Sequence, residues 1–236
     1  MSKVTSAIKA IDHRWFIIWG LVYATFLVLD IFWPTYQGVS VLKYAGIFLC
    51  LAYAHHRSNH DTLLTLALFM TFLADTILIW TTQFVFGIFV FCFAHFFHII
   101  RFTKTSPRFL IFYYLIIVSV FLFILLQDVP PIYAIAFVYA ISLTTNVILS
   151  IRLKYHHRKS PAALFACIGF ILFLLCDICV GFQFLSGEGV FPQAIYAPAT
   201  YLVWLFYYPS QIFISNSSIE PLLPSKTPTK SDTILS

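Results

Sequence analysis

Residues 161–185 read PAALFACIGFILFLLCDICVGFQFL. The run is apolar almost throughout, contains no lysine or arginine, and has Asp177 as its one charged residue. A transmembrane helix needs about 20 consecutive, predominantly apolar residues, so this segment is long enough to cross a bilayer. A carboxyl group at membrane depth is costly and usually faces a bundle interior or a wet cavity. The stretch therefore predicts a membrane-spanning fold and a functional group inside it.

The composition places the rest of the chain in the same setting. Of 236 residues, 61% are hydrophobic and only 10% are charged, whereas a soluble domain averages about 25% charged residues. Eight apolar runs approach spanning length; they are residues 15–33, 38–54, 62–80, 84–102, 108–126, 132–152, 161–185 and 192–215. We therefore predict an all-α, polytopic integral membrane protein in which residues 1–215 form one bundle of eight transmembrane helices. Residues 216–236 are polar and proline-punctuated, which predicts a disordered tail.

The basic residues sort to one end of the predicted helices. With the N-terminus placed inside, the inner side holds Lys3, Lys9, Arg14, Arg57, Arg101, Lys104, Arg108, Arg152, Lys154, Arg158, Lys159, Lys226 and Lys230. The predicted outer loops have Asp128 and Glu188 instead. The positive-inside rule thus predicts that both termini are cytoplasmic, in the cell membrane if the chain is bacterial. A basic face beside anionic lipid headgroups requires no nucleic-acid partner.

Three further charged residues fall within predicted spans, away from the inner ends where Arg101, Arg108 and Arg152 lie. Asp75 lies in residues 72–80, FLADTILIW, and Lys43 and Asp30 lie near the outer ends of the second and first spans. A rise of 1.5 Å per residue puts Lys43, Asp75 and Asp177 at roughly 16–24 Å above the inner boundary, with Asp30 at a similar height. Lys43 would then keep one of the two aspartates ionised, while the other, out of water, stays protonated. The alternatives are a snorkelling lysine and two protonated aspartates that only hydrogen-bond between helices.

Two carboxyl groups in different protonation states can divide acid and base roles across one bond. The protonated group gives a proton to the substrate, and the ionised group stabilises a cationic transition state or activates water. Because the site is in lipid, an amphiphile that enters sideways is the natural substrate. The pattern favours hydrolysis of an acid-labile ether or glycosidic linkage over acyl transfer, since the chain has no G-x-S-x-G motif. We therefore predict Asp75 and Asp177 as catalytic residues, with no cofactor.

Histidine and cysteine pairs raise the question of a metal. His95 and His98 share one face of the fourth predicted span, but His98 lies about 15 Å from the aspartates in depth. We therefore predict His95 as a polar contact near the site, and no metal. Cys176 and Cys179 form a C-x-x-C pattern, yet they flank Asp177 inside an apolar run. That setting favours small buried hydrophobic residues over redox or zinc chemistry.

Five features in order along the chain resemble the YhhN-type lysoplasmalogenase family. They are Lys43, Asp75, the G-x-x-x-F-x-x-x-H motif of Gly87, Phe91 and His95, then Asp177, and the Tyr-Tyr-x-x-Gln motif of Tyr207, Tyr208 and Gln211. The resemblance covers the predicted helices two to eight, and the chain departs from the family pattern at Ala74, Cys176, His98 and Pro209. It implies an eight-span enzyme that cleaves the vinyl ether bond of lysoplasmalogens to a fatty aldehyde and a glycerophospho-headgroup.

That chemistry agrees with the reading of the residues. An enol ether hydrolyses by protonation of its outer alkenyl carbon, and water captures the resulting oxocarbenium ion, so an acid and an anion are both needed. Asn146, Tyr207, Tyr208 and Gln211 would lie lower in the bundle, where they could bind a headgroup entering from the inner leaflet. The expected partners are the bilayer and a lysophospholipid with a vinyl ether chain.

Two functions from other classes stay open. The first is a small proton-coupled transporter in which Asp75 and Asp177 act as relay groups. Against it, the sequence has no strong inverted repeat and no symmetrically placed pair of Gly/Pro-broken helices. The second is a receptor or structural membrane protein without turnover. The sequence leaves the oligomeric state open.

Overall fold

The computed structural model describes residues 13–33, 37–57, 61–103, 107–127 and 130–218. These residues form eight long helices and no strand, so the all-α prediction is confirmed for them. The helices are α1 (His13–Phe32), α2 (Gln37–Arg57), α3 (Thr62–Trp80), α4 (Phe84–Thr103), α5 (Pro107–Leu125), α6 (Pro131–His156), α7 (Pro161–Gly187) and α8 (Tyr196–Ser215). A short 3-10 turn, Gln193–Ile195, precedes α8. Observed and predicted bounds differ by a few residues at most helix ends.

Polar residues and prolines set where the helices begin. Asp61 caps α3, because its side chain accepts a hydrogen bond of 3.2 Å from the backbone N–H of Leu64. Ser160 caps α7 in the same way through the backbone N–H of Ala163 at 3.3 Å. Pro161 and Pro131 stand at the first positions of α7 and α6, where a helix needs no N–H donor. Because these capping residues and prolines can be recognised in the sequence, the predicted starts of these helices agree with the observed ones.

Within the described residues, six helices are long and apolar enough to cross a membrane: α1, α2, α3, α4, α6 and α7. Helix α5 carries a shorter apolar stretch, Arg108–Ile124. Helix α8, which contains Pro209 and four tyrosines, is not among these six. Length and composition therefore make the chain a multi-pass membrane protein. The count of eight spans and the cytoplasmic position of both termini stay predictions.

Six of the helices close into a ring. Contacts between helices run in the order α2, α3, α4, α6, α7 and α8, and α8 packs back against α2. Helix α1 lies outside this ring against α2 and α8, and α5 lies outside it against α6 and α4. The two outer helices expose large apolar side chains such as Leu21, Phe32, Ile111 and Phe123, each at 60% or more. Those surfaces suit contact with lipid, whereas polar groups concentrate inside the ring.

Two glycines allow the ring to close tightly around α8. A side chain at Gly169 on α7 would place its Cβ 3.1 Å from both the Ile214 amide nitrogen and the Ser210 carbonyl oxygen. A Cβ at Gly46 on α2 would lie 2.5 Å from the ring of Tyr208. Helix α8 is therefore held between two neighbours at distances that larger residues would prevent.

A buried ionic network joins three elements at one end of the bundle. The guanidinium of Arg101, at the end of α4, donates to Asp61 at 2.8 Å and to the Ser217 hydroxyl at 3.2 Å. It also donates to the backbone carbonyl of Ser217. Asp61, Arg101 and Ser217 are all completely buried. Arg101 was predicted as one of the inner-face cations; the structure places it inside the protein, paired, so it contributes little to the charge of that face.

The same network bears on the C-terminal segment. Asn216 accepts a hydrogen bond of 2.9 Å from the Tyr53 hydroxyl, and Ser217 is bound by Arg101. The first residues of the predicted polar tail are thus attached to the helices. The prediction of disorder falls mainly on residues 219–236, which lie outside the described residues.

Candidate functional site

Asp75 lies inside the ring on α3 and is bound by a tyrosine of α8. Its carboxyl group accepts a hydrogen bond of 2.6 Å from the Tyr207 hydroxyl. Asp75 is 5% exposed and Tyr207 is equally buried. The next residue, Thr76, bonds back to its own helix at the carbonyl of Phe72. Asp75 on α3 is therefore connected to α8 by one hydrogen bond, which the Tyr207 hydroxyl donates.

Asp177 repeats this arrangement on the opposite helices. Its carboxyl group accepts a hydrogen bond from the Tyr139 hydroxyl of α6. Asp177 is half-buried, in contrast to Asp75. Cys176 and Cys179, which flank it in the sequence, are buried free thiols, as predicted.

Aromatic rings lie between the two tyrosines that bind the carboxyl groups. The Phe173 ring lies 5.5 Å from that of Tyr207, and the Phe91 ring lies 6.1 Å from that of Tyr139, centroid to centroid. Phe91 and Phe173 are themselves 6.0 Å apart in an edge-to-face contact, the geometry that ring quadrupoles prefer. Phe91 also lies 6.5 Å from Tyr207, centroid to centroid, so its ring contacts both of the tyrosines that bind the carboxyl groups. We call Asp75, Tyr207, Asp177 and Tyr139, with Phe91 and Phe173 between them, the carboxyl site.

His95 and Asn146 form a polar pair at the edge of the carboxyl site. The His95 ring lies 4.9 Å from Tyr139 and 5.2 Å from Phe173, centroid to centroid. The Asn146 amide donates to the His95 backbone carbonyl at 3.1 Å and lies 3.3 Å from its ring nitrogen Nδ1. Both side chains are completely buried, and within the described residues His95 Nε2 and Asn146 Oδ1 have no hydrogen-bond partner. Two polar atoms are therefore available to a bound molecule.

Lys43 does not pair with either catalytic candidate. Its ammonium donates to both carboxylate oxygens of Asp30 on α1, at 2.9 and 3.0 Å, and lies 4.7 Å from the ring centroid of Trp204. The expectation that Lys43 holds Asp75 or Asp177 ionised is therefore corrected. Asp30 is nearer because α1 and α2 are antiparallel neighbours and carry the two charges at one depth. The side chains are 11% and 13% exposed, which also argues against a snorkelling lysine.

The remaining predicted contacts lie beside the carboxyl site. The Tyr208 ring faces the α1 side, 5.3 Å from Phe26 and 5.6 Å from Tyr23. Gln211 is buried one turn further along α8, and its amide donates to the Ser210 hydroxyl at 3.2 Å. Neither residue is brought to the two aspartates. His98 is buried against Phe170, ring centroids 5.0 Å apart.

Tyr139 is the site residue that sequence reasoning missed. It lies in an apolar run of α6 and resembles the many interfacial tyrosines of this chain, so composition did not single it out. The sequence did contain a signal that distinguishes Tyr139. This tyrosine lies about eight residues after the start of α6, so its hydroxyl is far from either headgroup layer. Among the described residues, no group of three or more His, Cys, Asp or Glu side chains is arranged to hold a metal ion.

Six helices that are long and apolar enough to span a membrane, with two tyrosine-bound aspartates among the helices of the ring, define a multi-pass membrane protein with acidic groups in its apolar helices. A model of the YhhN family matches residues 37–218, which run from the start of α2 to the segment beyond α8. The chain belongs to the YhhN family, and membership suggests a lysoplasmalogenase-type function. Helix α1 lies outside the matched residues. No curated protein and no solved structure matches the chain.

Proposed function

We propose that this protein is a membrane-embedded hydrolase that cleaves the vinyl ether bond of lysoplasmalogen-type lipids by aspartate acid/base chemistry. The observation that carries the proposal is the carboxyl site itself. Asp75 and Asp177 come from different helices, each is bound by a tyrosine hydroxyl, and aromatic rings lie between the two tyrosines. Family membership supports the same reaction.

The first step is transfer of a proton to the outer alkenyl carbon of the substrate. One aspartate, in its protonated form, gives up this proton, and the electrons of the C=C bond form the new C–H bond. The ether oxygen then shares its lone pair with the adjacent carbon, which produces an oxocarbenium ion. The second aspartate, now near a cation, stabilises it electrostatically. The faces of Phe91 and Phe173 contribute to the same stabilisation through their ring quadrupoles.

The second step consumes one water molecule. Water adds to the cationic carbon and loses a proton to a carboxylate, so that the proton spent in the first step is recovered and a hemiacetal remains. Protonation of the ether oxygen and loss of the hydroxyl proton then break the C–O bond. The products are a fatty aldehyde and the free alcohol of the glycerophospho-headgroup. The two aspartates return to their starting protonation states, and no cofactor is needed.

The polar atoms of His95 and Asn146 supply the remaining recognition. The His95 ring lies beside Tyr139 and Phe173, so we expect this pair to adjoin the reacting bond. An imidazole nitrogen and an amide oxygen without hydrogen-bond partners among the described residues suit the free glycerol hydroxyl and the phosphate-ester oxygens of a lysoplasmalogen. The buried hydroxyl of Tyr208 and the amide of Gln211 are further along α8, where they serve the helix packing more than the reacting bond.

The test is aldehyde release from a lysoplasmalogen by the purified protein in detergent. Asp75→Asn and Asp177→Asn should each abolish turnover, because an amide keeps the shape but can neither donate the catalytic proton nor carry the charge. Glu188→Gln makes the same chemical change at an exposed position and should leave the rate unchanged. Gel filtration and thermal melting establish that the variants are folded.

Each alternative outcome has a distinct meaning. Near-wild-type release by either Asn variant would make that aspartate structural. A folded wild-type protein without aldehyde release would refute the hydrolase. If vesicles that contain such a protein take up a solute when a proton gradient is applied, that result would favour the transporter.

A further inference from the structure

Helix α8 contains a proline close to the point where it meets the carboxyl site. Pro209 lies in its interior. Proline has no backbone N–H, so the carbonyl four residues earlier, that of Leu205, loses the donor that a regular α-helix would give it. Residues 192–215 are one of the predicted spans, and inside a bilayer water cannot replace that donor, so an unsatisfied backbone carbonyl is costly. The break therefore requires a donor from elsewhere in the protein.

A residue of α1 provides that donor. The Tyr23 hydroxyl donates to the Leu205 carbonyl oxygen at 2.8 Å. The Tyr23 ring also stacks on that of Tyr208, with a centroid distance of 5.6 Å and an interplanar angle of 27°. One side chain thus contacts α8 on both sides of Tyr207, before and after it in the sequence.

Tyr207 lies between Leu205 and Pro209, in the turn that Tyr23 supports. Its hydroxyl reaches Asp75 at 2.6 Å. A displacement of this turn would move the Tyr207 hydroxyl relative to the carboxyl group, because both are fixed to different helices and no second side chain of α8 binds Asp75 among the described residues.

We propose that Tyr23 is a positioning residue of the carboxyl site: it satisfies the carbonyl that Pro209 leaves without its helical donor, and so holds Tyr207 at Asp75. The expected effect of Tyr23 on turnover rests on the proposed function. Its expected effect on Asp75 rests only on the Tyr23–Leu205 hydrogen bond. Helix α1, which carries Tyr23, lies outside the part of the chain that the family model matches.

The first experiment is a double-mutant cycle. Tyr23→Phe should lower aldehyde release by about two- to tenfold per folded molecule, because the net contribution of one neutral hydrogen bond corresponds to about that factor. Pro209→Ala restores the backbone N–H that Leu205 lacks. In the Pro209→Ala background, Tyr23→Phe should therefore change the rate by less than about twofold. As a control, Tyr201→Phe removes a hydroxyl from an exposed position of α8 and should not change the rate.

A second measurement reports on Asp75 without requiring turnover. Dicyclohexylcarbodiimide modifies buried carboxyl groups, and mass spectrometry of the peptides separates modification of Asp75 from that of Asp177. Tyr23→Phe should increase the labelling rate of Asp75 several-fold and leave that of Asp177 unchanged. The increase should disappear in the double variant Tyr23→Phe/Pro209→Ala. Tyr207→Phe gives the labelling expected when the Asp75 bond is absent.

The outcomes separate this inference from the proposed function. Selective, Pro209-dependent labelling in a protein that releases no aldehyde would uphold the positioning role and refute the hydrolase. Aldehyde release by the wild type, with no coupling between Tyr23 and Pro209 in either measurement, would overturn the inference alone. Equal increases at Asp75 and Asp177 would show general loosening of the bundle, which also overturns it.

Discussion

Lys43→Met removes the ammonium group that neutralises Asp30, and the structure allows its cost to be worked out. The pair has two hydrogen bonds, of 2.9 and 3.0 Å, and both side chains are largely buried. Removing one partner of such a pair leaves an uncompensated charge, which costs about 3–5 kcal/mol. The contact with Trp204 at 4.7 Å contributes about 0.5–2 kcal/mol of its own. Since some exposure remains, we expect a loss of about 3 kcal/mol.

The assay is the melting temperature of the purified protein in detergent. A loss of this size corresponds to a decrease of about 6–12 °C for a chain of this length. Lys43→Met/Asp30→Leu removes both charges and should recover most of the difference, because an apolar pair of similar volume is tolerated where a lone charge is not. Lys159→Met, which removes a cation from an exposed position, is the matched control and should melt like the wild type.

The same variants measure whether Lys43 acts on the aspartates. Because its ammonium binds Asp30, we expect aldehyde release per folded molecule to fall by less than about tenfold in Lys43→Met. A melting temperature equal to that of the wild type, together with a rate lowered by a hundredfold or more, would refute this reasoning. It would mean that Lys43 leaves Asp30 and serves Asp75 or Asp177 during turnover.

Three other properties can be tested directly. Gly169→Ala should lower the melting temperature by several degrees, because its Cβ would meet the backbone of α8 at 3.1 Å and overpacking costs about 1–3 kcal/mol; an unchanged value would mean that α7 and α8 are further apart. A chain ending before Ser217 should be less stable than one ending after residue 218, because Arg101 would lose its Ser217 bonds; equal melting curves would contradict this. Single cysteines at Lys226 and Glu188, in a variant lacking the five native ones, should be labelled from outside intact cells only at Glu188, and the opposite pattern would reverse the predicted orientation.

The helices could be predicted because their limits are local properties of the sequence. Thr62–Trp80 was predicted at the observed residues, since polar residues precede it and Thr81 follows it. Run length and capping residues depend on neighbours in the chain, so they can be read without the fold. The ring order could not be read in this way, because α4 packs on α6 with α5 outside. The sequence of an apolar helix does not indicate which other helix it will pack against.

The site was predictable as a set of charges but not as a set of contacts. Asp75 and Asp177 stood out because carboxyl groups are rare in apolar runs. Their tyrosine partners did not, since Tyr139 and Tyr207 are two of 13 tyrosines. The Lys43–Asp30 pair was closer to prediction, because the two residues were expected at one depth on adjacent helices. Depth did not separate Asp30 from Asp75 and Asp177, because all three were expected at similar heights.

The buried Arg101 has a consequence for how the protein is made. Its partner Asp61 precedes it in the chain, but Ser217 follows it by 116 residues. At about 5–20 residues per second, a ribosome needs about 6–23 s to synthesise that interval. During this time α3 and α4 are already complete, and the guanidinium has only part of its final coordination. The guanidinium of the nascent protein therefore lacks its Ser217 partner until α8 and the residues directly after it have been synthesised.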